Sequence, residues 1–363
     1  MKSHFMNTIL ILLLPFLFGS CKKDDDNPYK DSKYDFSSVD RFIDENLDVY
    51  QNQVAVLVSQ NGEVIYRKEV NLGINSPRMI ASASKWLSGA VIMKLVDEKK
   101  LSLDDTVGKF LPAFTENHKG QITIRQLFSH TSGFEGDLEE PGEFSDKYEY
   151  QKDLTLAQAV DSIAVYTPLV HTPGSAFSYG SASMQVAGRI AELVSGKSWQ
   201  ALFDEEIGGP CRMRAVYSFN GPNPLIAGGV RTTARDYLNF LEMIVNGGTF
   251  EGTSVLSAEA LTQMIKDQTR GAEIIATPYP ANPFSEYGNT GLRYGIGNWL
   301  DVVDNSGNVI ESSSPGMFGT HPWQDSKHKA AGIIFTRTKP KESQATSLKI
   351  RQMIRDIIEA GGK

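Results

Sequence analysis

The spacing of hydrophobic residues gives both ends of the chain strand and helix patterns and makes the long middle mostly helical. Near the N-terminal end, "QVAVLVSQ" and "EVIYRKEV" are rich in β-branched residues and flank Asn61-Gly62. Asn-Gly between two such runs is the strongest short signal for a β-hairpin. Just before it, apolar residues at helical spacing predict a helix over residues 36–47, with Ser37 or Ser38 as its N-cap.

Strand character returns late in the chain, in "GMFGTHPW" and "KAAGIIFTRT", and an amphipathic helix is predicted over residues 347–360. Between about residues 82 and 270 the pattern is mostly helical, broken by Gly, Pro and His-Thr-Ser turns. Within this span Gly196 is expected to end one helix and Ser198 to cap the next. A sheet contributed by both chain ends would therefore enclose a helical insertion.

The first 20 residues have the pattern of a secretory signal, with Lys2, the apolar run "TILILLLPFLF" and then small residues. The ending "LFGSC" resembles a bacterial lipobox, which implies cleavage before Cys21 and its lipidation; ordinary cleavage beside an incidental cysteine is the alternative. Residues 21–35 are predicted to be an acidic flexible tether. "CKKDDDN" resembles the export tag of surface-exposed lipoproteins, although a plain charged tether would look the same. We therefore expect a cell-envelope lipoprotein at the outer membrane, facing the periplasm or the exterior.

Composition and charge narrow the function classes. The 363 residues are 40% hydrophobic and 22% charged, which is ordinary for a globular protein. Loss of residues 1–20 removes one lysine and no acid, so the net charge changes from −7 to −8. An acidic chain without a basic stripe is a poor candidate for binding nucleic acid. With Cys21 lipidated, Cys211 is left as a single free cysteine, and we expect a small buried hydrophobe there.

Serine and lysine spaced three residues apart occur at Ser20, Ser82 and Ser326, so the spacing alone decides nothing. Only Ser82 precedes a long helical pattern, "WLSGAVIMKLV", that is apolar nearly all round and therefore buried. Residues i and i+3 share a helix face, so Lys85 could reach the Ser82 hydroxyl, and desolvation would let it act as a base. From this stretch alone, a helix-capping serine is an equally good interpretation.

Two other segments favour a nucleophile. "PGSAFSYGSASM" places Tyr179 and Ser181 after a Pro-Gly turn and before a helix; Tyr179 could relay a proton if a nearby cation perturbs its pKa, and a structural tyrosine is the alternative. Residues 313–323, "SSPGMFGTHPW", are predicted to be a glycine-rich strand entry where backbone can approach a ligand closely. His-Glu-x-x-His, Cys-x-x-Cys and Gly-x-Ser-x-Gly motifs are absent from the sequence, and the six histidines are scattered.

Taken in order, these segments resemble the serine β-lactamase-related superfamily, in the branch of class C β-lactamases and penicillin-binding-protein-like hydrolases. The resemblance runs from about residue 37 to 360 and rests on "SASK", "KLSLDDTVGKFLPAF", "ITIRQLFSHTSGF", "PGSAFSYGSASMQVAGRIAELVSGKSWQALFDEEI", "IAGGVRTTARDYLNFLEMIVNGG" and "SPGMFG". It implies a two-lobed α/β (α+β) fold, in which an antiparallel sheet flanked by N- and C-terminal helices is joined to a large all-helical lobe. The hydrolase domain would span residues 36–363, with the lobe inserted at roughly 82–270.

The resemblance also assigns roles. It makes Ser82 the acylated nucleophile, Lys85 its base partner and Tyr179 the residue that activates Ser82 or the deacylating water. The backbone N–H groups of Ser82 and Met317 would hold the oxyanion. Ser181, Ser314 and Gly316 would border the substrate. Neither a metal nor an organic cofactor is implied, and His130 of "SHTSGF" is expected to be structural.

The third motif departs from the family pattern, because Ser314-Pro315-Gly316 lacks the usual leading Lys or His. In the family that cation helps to bind a carboxylate, so its loss favours esters or amides without one; His321 could replace it from the same strand region. Ser181 stands where Asn is commoner. We therefore predict a monomeric serine hydrolase acting on a small ester or on a D-amino-acid or cell-wall peptide. The alternatives are a β-lactamase or D,D-peptidase proper, and a silent surface binding protein of the same fold.

One segment carries a separate hypothesis. Residues 135–153 hold eight acids against two lysines, with Phe144, Tyr148 and Tyr150 interleaved. In the family this region often borders the cleft, and a negative field there could select neutral or cationic substrates. A solvated surface loop is the simpler interpretation.

Overall fold

The central sheet of the computed structural model, which describes residues 33–137, 146–217, 221–278 and 291–361, is built from both ends of the chain. The predicted signal peptide, Cys21 and the tether up to residue 32 lie outside the described residues, as do residues 138–145 of the acidic segment. The strands are β1 (Val54–Gln60), β2 (Glu63–Val70), β3 (Arg78–Met79), β4 (Ala176–Ser178), β5 (Arg231–Thr232), β6 (Thr249–Phe250), β7 (Thr253–Ser254), β8 (Glu273–Ala276), β9 (Trp299–Val303), β10 (Val309–Ser313), β11 (His321–Asp325) and β12 (Ala330–Thr336).

Six of these strands form one sheet in the order β2-β1-β12-β11-β10-β9, and every neighbouring pair is antiparallel. The predicted hairpin is confirmed, since β1 and β2 are joined by Asn61 and Gly62 alone, with φ values of 53° and 80°. Two positive φ values are what a tight hairpin turn requires. The antiparallel sheet flanked by helices confirms the predicted fold class.

The hairpin of β9 and β10 was not predicted. Its turn is held by Asp304, whose Oδ1 accepts from the backbone N–H groups of Ser306 and Asn308, both at 2.8 Å. Buried polar residues in these strands, among them Asp301 and Glu311, remove the apolar alternation that marks a half-buried strand. The predicted strand entry at 313–323 is also corrected, because residues 314–320 form a connection and β11 begins only at His321.

The helices cover both faces of the sheet. They are α1 (Ser37–Glu45), α2 (Ser84–Asp97), α3 (Pro112–Glu116), α4 (Ile124–Phe128), α5 (Leu156–Tyr166), α6 (Ala182–Ser195), α7 (Trp199–Phe203), α8 (Ala234–Val245), α9 (Ala258–Met264) and α10 (Pro340–Glu359). Helix α10 covers the predicted C-terminal helix up to Glu359, one residue short of its predicted end. No helix in the described part of the chain is both long and apolar enough to cross a membrane.

Alternate residues of β1 point into two different hydrophobic cores. Val54, Val56 and Val58 pack with α1 and α10, whereas Ala55 and Leu57 belong to a larger core that includes α2 and α8. Helix α8 packs on β1, β11 and β12, although it falls inside the span predicted as the helical lobe. The lobe boundaries stay a prediction. This layering places the N-terminus of α2 on the face of the sheet opposite α10.

Local capping was predicted with mixed success. Gly196 ends α6 with a φ of 70°, and the Ser198 side chain accepts from the N–H of Ala201, as expected. The predicted cap of α1 is wrong: the helix begins at Ser37 itself, no side chain caps it, and the Ser37 hydroxyl donates to Asp35. The aspartate before the helix gives this hydroxyl an acceptor that competes with a capping bond.

Candidate active site

Ser82 lies in a single 3₁₀ turn, Ala81–Ala83, immediately before α2. Ala81 has a φ of 46°, a left-handed conformation that costs a non-glycine residue about 1–2 kcal/mol. The capping interpretation of Ser82 is wrong, because α2 has Ala83 at its N-cap position and no side chain caps it. Residues 81–85, called the nucleophile turn below, thus leave the partly exposed Ser82 hydroxyl available for other partners.

Lys85 is 2% exposed, and its Nζ lies 3.1 Å from Ser82 Oγ and 3.0 Å from the carbonyl oxygen of Ala227. Among the described residues, no carboxylate comes within ion-pair distance of this ammonium. Burial lowers the pKa of Lys85 to about 7, and the negative charge of Asp137 opposes part of that shift. Near neutral pH a large fraction of Lys85 is therefore an uncharged amine that can accept the Ser82 proton.

Tyr179 completes the group around Ser82. Its phenol interacts with the Ser82 side chain, which lowers the phenol's pKa, and Lys85 Nζ lies 4.6 Å from the centre of its ring. The ring stacks on Trp299 with centroids 5.4 Å apart. Burial raises the pKa of Tyr179 well above its usual value, so the phenol stays protonated at neutral pH. Tyr179 is therefore suited to relay a proton, and Lys85 to act as the base.

The loop after β10 lies against the nucleophile turn. A Cβ at Gly316 would stand 2.1 Å from the carbonyl oxygen of Ile80, so only glycine permits this approach. Ser314 is 1% exposed, and its hydroxyl donates to the carbonyl oxygen of Ser82 at 3.2 Å. These contacts support a positioning role for Ser314, while contact with substrate stays a prediction.

The predicted oxyanion donors are the backbone N–H groups of Ser82 and Met317. Within the described part of the chain, neither N–H donates to another group. Both therefore remain available to a ligand, as an oxyanion hole requires. Their role stays a prediction.

His130 packs beside this site without taking part in its hydrogen bonds to Ser82. Its Nδ1 accepts from the Gly180 N–H at 3.3 Å, and its ring centroid lies 4.4 Å from that of Tyr179. Burial and the charge of Lys85 hold the pKa of His130 well below its usual value. A neutral, enclosed imidazole fits the structural role predicted for it.

His321 does not replace the missing cation of the third motif. In the sheet it pairs with Ile334, whose side chain packs under α10, so His321 points to the face away from Ser82. It is 3% exposed, and burial beside Arg351 keeps its pKa well below the usual value.

Cys211 is buried as predicted, and burial raises its pKa to about 12, which keeps the thiol unreactive.

Sequence reasoning placed the acidic segment near the cleft but missed the contacts of Tyr150 and Asp137 beside Ser181. The Tyr150 hydroxyl lies 2.9 Å from Ser181 Oγ and donates to Asp137 Oδ2 at 3.2 Å. Asp137 also pairs with Lys147 at 2.9 Å, and Glu149 is buried. Asp137, Glu149 and Tyr150 are therefore packed beside the site, whereas Glu135, Asp146, Lys152 and Asp153 are exposed. The tyrosines interleaved with its acids were the available signal.

Comparison with known proteins agrees with this geometry. The sequence model of the family named Beta-lactamase matches residues 39–353, which is most of the chain. The chain belongs to that family. This membership confirms the resemblance on which the fold was predicted, and it places Ser82, Lys85 and Tyr179 inside a matched region.

Individual relatives are distant. "Protein Rv1367c" of Mycobacterium tuberculosis is 26% identical over 322 residues, covering 73% of this chain and 76% of its own length. Among solved structures, a candidate beta-lactamase from Bacteroides dorei DSM 17855 is 32% identical with a TM-score of 0.74, covering 87% of this chain and 98% of its own. EstCE1, described as a hydrolase with promiscuous acyltransferase activity, has a TM-score of 0.69 at 20% identity over 86% of this chain and 96% of its own. At that identity EstCE1 supports the fold alone.

Proposed function

We propose that the protein is a serine hydrolase that cleaves an ester or amide through an acyl-Ser82 intermediate. The observation that carries the proposal is the contact between Ser82 Oγ and Lys85 Nζ at 3.1 Å, with Lys85 buried and its pKa lowered to about 7. A nucleophile beside a desolvated base is the arrangement that acyl transfer needs. Membership of the Beta-lactamase family supports the same reaction class.

The residues divide the reaction between them. Lys85 accepts the hydroxyl proton as Ser82 Oγ forms a bond to the substrate carbonyl carbon, whose electron pair moves to the oxygen. The N–H groups of Ser82 and Met317 stabilise that oxyanion. When the oxyanion collapses, the bond to the leaving group breaks and that group takes a proton relayed through Tyr179. Water then adds to the acyl carbon by the same path, which releases the acid and restores Ser82.

The substrate class follows from what the site lacks. Ser314 occupies the position of the family's usual cation, and its hydroxyl is directed at the Ser82 carbonyl. A carboxylate beside the scissile bond would therefore lack the partner that this position supplies elsewhere in the family. We therefore place esters and amides, including D-amino-acid and cell-wall peptides without such a carboxylate, ahead of β-lactams.

Labelling with a fluorophosphonate, read by peptide mass spectrometry, tests the nucleophile directly. The phosphorus bonds to an activated serine oxygen as fluoride leaves, so we expect a single adduct on Ser82 that is absent from Ser82→Ala. Ser326→Ala is the matched control, because Ser326 has the same spacing to a lysine but lies exposed in a turn. Its labelling should equal that of wild type.

An unlabelled wild-type protein would contradict the proposal and favour a binding protein of the same fold. Where the label is found, turnover of a p-nitrophenyl ester, a D-amino-acid amide and a chromogenic β-lactam ranks the substrates. We expect the β-lactam to be the poorest of the three. A β-lactam hydrolysed faster than the ester and the amide would show that the cation of the third motif is dispensable here.

A further inference from the structure

Three side chains form one wall beside the nucleophile. Ser181 follows Tyr179 by two residues, and its hydroxyl meets that of Tyr150 at 2.9 Å. Tyr150 in turn meets Asp137, whose backbone N–H donates to the Tyr179 carbonyl oxygen at 2.7 Å. Contacts on both sides of Tyr179 thus hold this wall, called the acceptor wall below, next to the site of acyl transfer.

The hydrogen bonds along the wall run in one direction. A carboxylate only accepts, so the hydroxyl proton of Tyr150 is donated to Asp137 Oδ2. Burial and the charge of Asp137 hold the pKa of Tyr150 well above its usual value, so that proton is present at neutral pH. Since the Tyr150 hydroxyl has a single proton, Ser181 must be the donor in its bond to Tyr150.

This direction fixes what Ser181 can offer a ligand. Its only hydroxyl proton is used, and among the described residues no group donates to its oxygen, so the remaining lone pairs can only accept. An asparagine at this position would present both an acceptor and a donor. Asp137 is 8% exposed on its side chain and adds negative charge close enough to act on Lys85 and Tyr179.

From this geometry we infer that the acceptor wall selects substrates whose acyl part carries an ammonium group close to the carbonyl carbon, as in an amino acid ester or amide. The inference rests on the proposed acyl-Ser82 chemistry and narrows its substrate class. An ammonium has three donors and no acceptor, so it satisfies Ser181 and is attracted by Asp137. A carboxylate or a carbonyl oxygen at the same place would have no proton to donate to Ser181.

A pair of boronic acids tests the wall without depending on a leaving group. Boronic acids bind active-site serines reversibly through a bond from the serine oxygen to boron. The enantiomers of 1-aminoethylboronic acid and isopropylboronic acid differ in having an ammonium or a methyl group beside boron. The readout is the concentration of each that halves fluorophosphonate labelling of Ser82.

We expect at least one amino enantiomer to protect wild type at a concentration at least about tenfold below that of the isopropyl compound, because charge-assisted hydrogen bonds are among the stronger ones. Asp137→Asn should remove most of this preference. Tyr150→Phe, which frees the Ser181 proton, should reduce it about threefold. The preference is the ratio of the two protecting concentrations. A variant that alters Lys85 changes binding of both boronic acids alike, so this effect cancels in the ratio.

Tyr148→Phe is the matched control, since the ring of this neighbouring tyrosine packs against Tyr166 and, among the described residues, its hydroxyl makes no bond to Ser181; its ratio should equal that of wild type. Equal protection by the two compounds, or protection by neither, would overturn the inference while leaving the serine nucleophile in place. A preference that survives unchanged in both Asp137→Asn and Tyr150→Phe would also overturn it. Failure of labelling itself would instead reject the proposed function.

Discussion

Two buried cations on opposite faces of the sheet have opposite surroundings. Lys85, in the larger core, has a serine hydroxyl and a carbonyl oxygen as its polar neighbours and no carboxylate at ion-pair distance in the described ranges. Arg351, on α10, is 1% exposed and binds Asp301 at 2.7 Å as well as Glu311, which also pairs with Arg355 at 2.6 Å. Both side chains are buried, but only the charge of Arg351 is neutralised by neighbouring carboxylates.

This difference distinguishes a buried cation suited to proton transfer from one that stabilises the fold. A lysine buried without a counter-charge loses its proton near neutral pH, whereas an arginine cannot be deprotonated and has to be paired. The nucleophile turn therefore holds a charge that can change during a reaction. The ion cluster of Asp301, Glu311, Arg351 and Arg355 ties α10 to β9 and β10. A buried cation that lacks an anion is the better indicator of a functional site.

Replacing each cation by methionine tests this difference, and we expect the larger effect, a loss of kcat/KM, from Lys85→Met. We expect kcat/KM for an ester that wild type hydrolyses to fall at least about 10³-fold, because the base is gone. The free energy of unfolding at pH 7 should stay equal or rise, since an uncompensated buried amine is replaced by an apolar side chain of similar length. Steady-state kinetics and urea unfolding measure the two quantities. Activity within tenfold of wild type would exclude Lys85 as the base.

Arg351→Met should show the reverse. The change leaves Asp301 and Glu311 buried with one of their cations removed, so we expect the free energy of unfolding to fall by about 3–5 kcal/mol. The fraction that remains folded should keep a kcat/KM close to wild type, because Arg351 faces away from Ser82. Arg337→Met, at an exposed arginine, should change the free energy of unfolding by no more than about 0.5 kcal/mol. A stability loss as small as that control's would mean that the ion cluster contributes little.

The pH dependence of kcat/KM tests the proton transfer by Lys85 through a smaller change in rate. Lys85 acts only when uncharged, and its pKa is about 7, so kcat/KM should rise about tenfold per pH unit below pH 7 and level off above it. A profile without a limb near pH 7 would indicate that another group controls the proton.

The pH dependence of stability should have opposite slopes for the two regions. Folding lowers the pKa of Lys85 from 10.5 to about 7, so the folded state binds fewer protons between these values and stability rises with pH there. Burial raises the pKa of Asp301 from 3.8 to about 7, so the folded state binds more protons and stability falls across that window. Each slope is at most about 1.4 kcal/mol per pH unit. Lys85→Met should lose the rise above pH 7, and Asp301→Asn the fall below it.

Features set by neighbouring residues were predictable. The Asn61-Gly62 hairpin, the helix end at Gly196 and the cap at Ser198 each depend on a few residues whose backbone preferences agree. The pairing of Ser82 with Lys85 is of the same kind, because three residues along a turn bring both side chains to one side. Caps at Ser37 and Ser82 failed where a nearby partner, Asp35 or Lys85, offered the hydroxyl another bond.

Features that join distant segments were not predictable from one sequence. Tyr150 meets Ser181 across 31 residues, Ser314 meets Ser82 across 232, and Arg351 meets Asp301 across 50. Strands β9 and β10 were not predicted because they contain the buried acids Asp301 and Glu311. The local pattern does not reveal that Arg351 on α10 pairs with these acids. Whether His321 pointed toward Ser82 or away from it depended on the register of β11 with β12.

The sequence alone was enough to predict the Asn61-Gly62 hairpin, the family motifs and a serine with a lysine one turn away. Tertiary structure decided which of these groups change their chemistry. Lys85 loses its proton near pH 7 because the fold buries it, and Tyr179 keeps its proton because the fold encloses it. Ser181 donates its proton to Tyr150 because the proton of Tyr150 goes to Asp137. Burial and hydrogen-bond direction depend on contacts across the whole chain, so local pattern leaves them open.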